Sequence, residues 1–121
     1  MTRDQALELA RHWIDAWNAR DVETVLAHFD DGVRFTSPKA AGITGNALVV
    51  GKQALRAYWT AALSRITSIR FTLDRALWDE ARATLTIVYQ AELNDQKNRA
   101  CEFLRFGESG RAVEGEAMYG A

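Results

Sequence analysis

The residues able to do chemistry in this chain are few, and their spacing separates them. Glu102 stands in NRACEFLRF, where strand alternation puts it on one face with Ala100, Leu104 and Phe106, and puts Cys101, Phe103 and Arg105 on the other. A carboxylate among apolar residues is costly unless its pKa rises, and a neutral acid so held can donate or shuttle a proton. The competing environment is an ion pair with an arginine, across a hairpin or in a dimer contact. Ser37 precedes Pro38 and reads as a strand-end hydrogen bonder, because no base is identifiable beside it. His12 and His28 fall on different predicted helices without a metal-ligand spacing, so no metal is expected. Cys101 is the only cysteine, which removes an internal disulfide and a cysteine-based zinc site. The glycines at 42 and 45 lack the Gly-Lys-Ser/Thr ending of a phosphate cradle, and no cofactor is expected.

Composition bounds the function classes. The 121 residues carry 15 Lys and Arg against 16 Asp and Glu, a net charge of −1, with no run of five like charges to track a nucleic-acid backbone. One domain over 1–121 is expected, since a chain of this length can bury roughly two-thirds of its unfolded surface without staples. The start, MTRDQALELA, has no basic segment followed by an apolar one, and no apolar stretch is long enough for a membrane span. A cytoplasmic, reducing setting is expected. Arginine outnumbers lysine 12 to 3, which suits a GC-rich bacterial genome.

The elements that position these residues follow from periodicity. Thr2 and Gln5 form a capping-box pattern, after which Ala6, Leu9 or Ala10, Trp13 and Trp17 fall on one helical stripe. Asp15 points away from the tryptophan face. Asp21 is the next N-cap, and a short helix carries Val22, Val25, Leu26 and Phe29 up to the Asp30-Asp31-Gly32 stop. Val33 to Ser37 is a strand closed by Pro38. Residues 38–50 read as a long excursion with a short strand at Ala47 to Val50. A third helix starts at Gly51 and places Leu55, Tyr58 or Trp59, Ala62 and Leu63 at helical spacing. The pattern then turns to period two through IRFTLDRALWD, RATLTIVYQAEL, NRACEFLRF and RAVEGEAMYG, with short separators that predict a four-stranded antiparallel meander. The class is α+β, with helices packed on one face of a curved sheet.

Strand parity then predicts a cleft. Leu85, Ile87 and Tyr89 line up on one strand, and Val113, Gly115, Ala117 and Tyr119 on the last. If the helices cover this face, Tyr89, Glu102 and Tyr119 converge beneath Trp13 and Trp17, with Phe35 and Trp59 dividing between core and pocket mouth. Four tryptophans suit a pocket for a flat apolar ligand as well as plain core. The opposite face carries Val88, Cys101, Phe103 and Met118 among polar residues, a mixture suited to a homodimer through the sheet.

The segments WIDAWNARDVETVLAHFDDGVRFTSP, GKQALRAYW, CEFLRFGESGR and VEGEAMYG span nearly the whole chain. Together with the element order they resemble the nuclear transport factor 2-like superfamily, in particular its SnoaL-like, ketosteroid-isomerase-like members. The resemblance implies a cone-shaped fold, a curved sheet wrapped round helices with a pocket at the wide end, and homodimers through the sheet. It places Ser37 where steroid isomerases carry their proton-transferring Asp, Trp13 where they carry an oxyanion-stabilising Tyr, and Glu102 where they carry a protonated acid, an arrangement the isomerases use to donate a hydrogen bond. The arginine of the limonene epoxide hydrolases is replaced by Ala100. The expectation is a pocket protein for a small hydrophobic molecule: an isomerase, cyclase or dehydratase acting on a carbonyl compound. Glu102 and Trp13 are its candidate catalytic residues, and Trp17, Phe35, Ser37, Trp59, Tyr89 and Tyr119 its substrate-binding wall. The alternative of a different class is a non-catalytic domain that binds a ligand or only dimerises.

Overall fold

The computed structural model describes residues 1–120. Helix α1 spans Arg3–Asn18 and begins with the reciprocal pair read from the sequence: Thr2 Oγ1 accepts the Gln5 N–H at 3.1 Å and Gln5 Oε1 accepts the Thr2 N–H at 2.9 Å. Its buried stripe is Ala6, Ala10, Trp13, Ile14 and Trp17. Helix α2, Val22–Leu26, is N-capped by Asp21. The chain continues with β1 (Phe29–Thr36), α3 (Pro38–Thr44), β2 (Leu48–Val50), α4 (Lys52–Ser64) and the strands β3 (Ile69–Asp79), β4 (Thr84–Leu93), β5 (Gln96–Phe106) and β6 (Ala112–Tyr119).

The six strands form one sheet in the order β2-β1-β6-β5-β4-β3, all neighbours antiparallel except the parallel pair β1–β6. Register shifts in β1, β3 and β6 bend this curved open sheet, as extra residues in a ladder do. Helix α1 packs on β3 and β4, α4 packs on β1, and the core fills the space between. The predicted α+β class and the meander β3 to β6 are thus present. No helix among the described residues is long and apolar enough to cross a membrane.

Three local expectations are corrected. Phe29, placed on the second helix by its spacing, opens β1 instead, with Asp30-Asp31-Gly32 inside the strand. The residues stop a helix but bulge a strand, and Phe29 pairs with Ala112 across that irregularity. The excursion at 38–50 contains a true helix. Ser37 caps it, Pro38 stands in its first turn, and Gly45 closes it at φ 85°. On β6, Val113 does not join the inner face. Arg105 pairs with Glu114 and Phe106 with Ala112, so Val113 is the extra residue, half-buried, while Ala112 is fully buried.

The turn between the first helices shows why its residues matter. The Asn18 amide donates to the Phe71 carbonyl at 2.9 Å and its carbonyl accepts the Phe71 N–H at 2.7 Å, tying α1 to edge strand β3. Arg20, at φ 59°, donates to the carbonyls of Leu63 and Ile66, both at 2.8 Å, and so satisfies groups left open at the end of α4.

Candidate functional site

A cavity of about 70 Å³ lies between the helices and the sheet. Its wall comes from eight elements: Trp17 from the end of α1, Phe35 from β1, Lys39 from α3 with its N-cap Ser37, Tyr58 and Trp59 from α4, Phe71 from β3, Tyr89 from β4, Glu102 from β5 and Tyr119 from β6 among its residues. Seven of the eight residues singled out from the sequence meet here. Trp13 is the exception. It is fully buried one layer back, its ring 5.3 Å from that of Tyr89 and stacked on Phe71 at 6.1 Å, and it does not line the cavity.

Glu102 is 4% exposed and pairs in register with Ile87 on one side and Ala117 on the other. Neither neighbour carries a charge. Oε2 has no hydrogen-bond partner, and no ion pair reaches the residue among those described. Of the two environments open from the sequence, the cross-strand arginine pair is taken by another acid, since Arg105 meets Glu114 on the outer face. Burial without compensation drives the Glu102 pKa well above the carboxylate range and favours the neutral acid.

Tyr89 and Tyr119 both face Ala100 in the ladder, two residues along from Glu102, which places them as its diagonal neighbours at about 7–8 Å between backbones. Burial pushes both phenols up, and ionisation of Glu102 raises them further. Tyr58 is raised by burial as well. All three are hydrogen-bond donors at neutral pH and not bases. Tyr58 Oη lies 3.3 Å from the buried Ser37 Oγ, which also accepts the Lys39 backbone N–H at 3.3 Å. Ser37 is therefore engaged twice by the protein itself.

The aromatic wall is built edge to face. Trp59 meets Trp17 with centroids 5.0 Å apart and Phe35 at 5.4 Å, while Phe71 meets Tyr89 at 4.8 Å. The Trp17 indole N–H and Glu102 Oε2 are both buried without a partner, on two residues of the cavity wall.

Sequence reasoning passed over Tyr58, Phe71 and Lys39. Tyr58 and Trp59 lie three and four residues after Leu55, and both face inward. A strand-end serine followed by proline is a helix start, and that signal would have set Lys39 in the first turn of α3 beside the cavity.

The remaining reactive residues lie elsewhere. His28 sits in the turn after α2 and not on the helix, where its Nε2 is 3.3 Å from Nδ1 of His12; burial and the His12 charge lower its pKa. No group of three or more metal-ligating side chains occurs among the described residues. Cys101, half-buried, is on the outer face, where Val88, Cys101 and Met118 register side by side across three strands.

Residues 10–115 match the SnoaL-like domain family. A SnoaL-like protein of unknown function from Burkholderia thailandensis E264 is 32% identical, with a TM-score of 0.87 over 100% of this chain and 99% of that one. A ketosteroid-isomerase-like protein from Kribbella flavida DSM 17836 is 19% identical, with a TM-score of 0.77 over 98% and 79% of the two chains. TerC, co-crystallised with polyporic acid, is 12% identical, with a TM-score of 0.78 over 94% and 90%. No curated protein matches. Its fold, a curved sheet with helices on the inner face, is that of the nuclear transport factor 2-like structures, and the match over 10–115 makes this chain a member of the SnoaL-like family.

Proposed function

We propose that the cavity takes a small hydrophobic carbonyl compound and that Glu102 moves a proton on it, as in an isomerase, cyclase or dehydratase. The observation that carries this reading is the unpaired acid at the cavity wall, for which the fold offers no structural partner. An acid raised by burial is a strong base once ionised. Ionised Glu102 takes a proton from the carbon beside the carbonyl. The C–H pair becomes the new C=C bond as the carbonyl π pair moves to oxygen, where a tyrosine hydroxyl donates. Return of the proton from Glu102 to another carbon, as the carbonyl re-forms, completes an isomerisation. In a ring closure the enolate carbon attacks a second carbonyl carbon, the π pair of that carbonyl moves to its oxygen, and this oxygen takes the proton from Glu102 as the first carbonyl re-forms. Tyr58, Tyr89 and Tyr119 supply donors, and Trp17, Phe35 and Trp59 shape the wall. Trp13 fixes Tyr89 and Phe71 from behind and is a positioning residue in this scheme. Ser37, in the place of the steroid-isomerase base, is a hydrogen bonder, so Glu102 must serve as both acid and base.

The test is a mass-spectrometric comparison of a bacterial metabolite extract incubated with wild type, with Glu102→Gln and with no protein. A compound converted by wild type alone supports the enzymatic reading. Retention of a compound by both proteins without conversion supports the second reading, a binding domain, which the doubly engaged Ser37 favours.

The outer sheet face is the proposed homodimer surface. Its apolar row of Val88, Cys101 and Met118 includes a methionine 42% exposed. A concentration series by analytical ultracentrifugation checks it, and a monomer throughout the series rejects it.

A further inference from the structure

Resting on the reading of the cavity as a ligand site, we propose that the ligand carries a carboxylate which Lys39 receives at the cavity mouth, while its apolar, oxygen-bearing end lies inward toward Glu102. Lys39 is the one cation lining the cavity, and Glu102 the one acid. The other two lysines each have a carboxylate nearby, Lys52 with Asp31 at 4.0 Å and Lys97 with Glu92 at 3.9 Å. Lys39 has none among the described residues. Its Nζ instead lies 4.2 Å from the centroid of the Tyr119 ring, one of the cavity walls; partial burial lowers the lysine pKa, and the π face of that ring acts against this by favouring the ammonium form.

Nothing in α3 explains a lysine at this point. A cation in the first turn opposes the helix dipole, so its placement costs α3 a little stability. Glu102 does not neutralise it either: no ion pair joins the two, and burial alone governs the Glu102 carboxyl, which favours its uncharged form. The cavity therefore presents one positive group at its mouth and no compensating negative charge within. Its size points the same way. About 70 Å³ admits one end of a ligand and not a whole drug-sized molecule, so the rest extends outward past Lys39. An acid entering with its neutral end first would place its carboxylate beside the ammonium and its inner oxygen near Glu102 and the orphan Trp17 N–H.

The experiment uses 4-hydroxycinnamate and its uncharged amide, isosteric probes whose binding is followed by quenching of the cavity tryptophans. In wild type at low salt the acid should bind about five- to tenfold more tightly than the amide, the range for one partly screened charge-assisted contact. Lys39→Met should bring the acid to within about twofold of the amide, and Lys39→Arg should retain the preference. Equal binding of the two probes by wild type overturns the inference and leaves the cavity reading standing. An acid preference that survives in Lys39→Met overturns it also, by placing the anion elsewhere. If neither probe saturates, the inference falls, and the extract comparison decides the cavity reading alone.

Discussion

Glu102 faces Ala117 directly across the β5–β6 ladder, and this pairing leaves the carboxyl with space beside it and no partner opposite. Ala117 is small and uncharged, so the acid meets no ionic partner across the ladder, while the space over Gly115 is filled by Phe35. The consequence is measurable as a pH dependence of stability. Folding raises the Glu102 pKa above its ordinary 4.5, so the native state holds a proton that the unfolded state releases. The stability tied to that proton is complete below about pH 4.5 and is lost as pH rises through the native value. Glu102→Gln lacks this loss. Urea midpoints of the two proteins should therefore diverge with rising pH, the variant becoming the more stable, by about 1.4 kcal/mol for each unit by which the native pKa is raised. Parallel curves from pH 4 to 9 would mean that Glu102 is solvated or paired.

Ser37 joins two tasks, and its removal should show both. Its hydroxyl contacts Tyr58 Oη and accepts the first free N–H of α3. Ser37→Ala should cost about 1–2 kcal/mol, the cap contributing most of it. Tyr58→Phe removes only the first contact and should cost about 1 kcal/mol. In thermal denaturation the double variant should be less destabilised than the two singles added, because both delete one shared hydrogen bond. Full additivity would show that the 3.3 Å contact contributes nothing.

How far the sequence carried the fold depends on the range of the signal. Between Ile69 and Tyr119 the period-two pattern and the short separators sufficed for the meander, since neighbouring strands there pair through local hairpins. Phe29 failed that test. Its helical spacing from Val25 and Leu26 is real, but the strand it joins is held by Ala112, more than eighty residues later, and that pairing has no local trace. Val113 failed for the mirror reason, because one inserted residue on β6 reverses the face of all that precede it. At the site, residues placed by strand parity came together in space, whereas Trp13, placed by the resemblance and a helical stripe, is set back by the rings of Phe71 and Tyr89. A stripe assigns a residue to the core side without fixing its depth. Lys39 escaped because a charged residue after a proline reads as surface until the helix it belongs to is recognised.

Asn94 should prove one of the more sensitive polar positions outside the cavity. Asn94 and Asp95 form the two-residue connection between β4 and β5 with φ of 50° and 70°, both left-handed, as a twisted hairpin requires. The Asn94 carbonyl oxygen accepts from the Thr67 N–H at 2.7 Å, the Thr67 hydroxyl at 2.9 Å and the Ser68 N–H at 3.2 Å, while its amide donates to the Arg65 carbonyl at 3.0 Å. Asn94→Ala loses these bonds and adds strain at a positive φ. It should cost about 2–3 kcal/mol in chemical denaturation. Asn94→Gly relieves the strain alone and should recover about 1 kcal/mol of that cost. Equal losses in the two variants would assign the whole effect to the hydrogen bonds.

Gly115 controls the cavity from behind its wall. It pairs with Phe35 on β1 and with Leu104 on β5, and a Cβ added there would stand 2.8 Å from Phe35 Cδ1 and 3.3 Å from Leu104 Cδ2. Phe35 is 1% exposed, with the Trp59 ring 5.4 Å and the Phe29 ring 6.4 Å away, so it has little freedom to yield. Part of the displacement must go toward the cavity that Phe35 and Trp59 both line. Gly115→Ala should therefore destabilise the protein by about 1–3 kcal/mol, the usual range for an overpacked core. It should also weaken binding of the uncharged 4-hydroxycinnamamide probe several-fold, because the wall moves inward. Gly107→Ala is the matched control: its Cβ would meet Val113 Cγ1 at 2.8 Å, and neither residue lines the cavity. Loss of stability in both variants with loss of probe binding in Gly115→Ala alone is the expected pattern. Equal loss of binding in both would mean that the cavity responds to global loosening of the sheet and not to the position of Phe35.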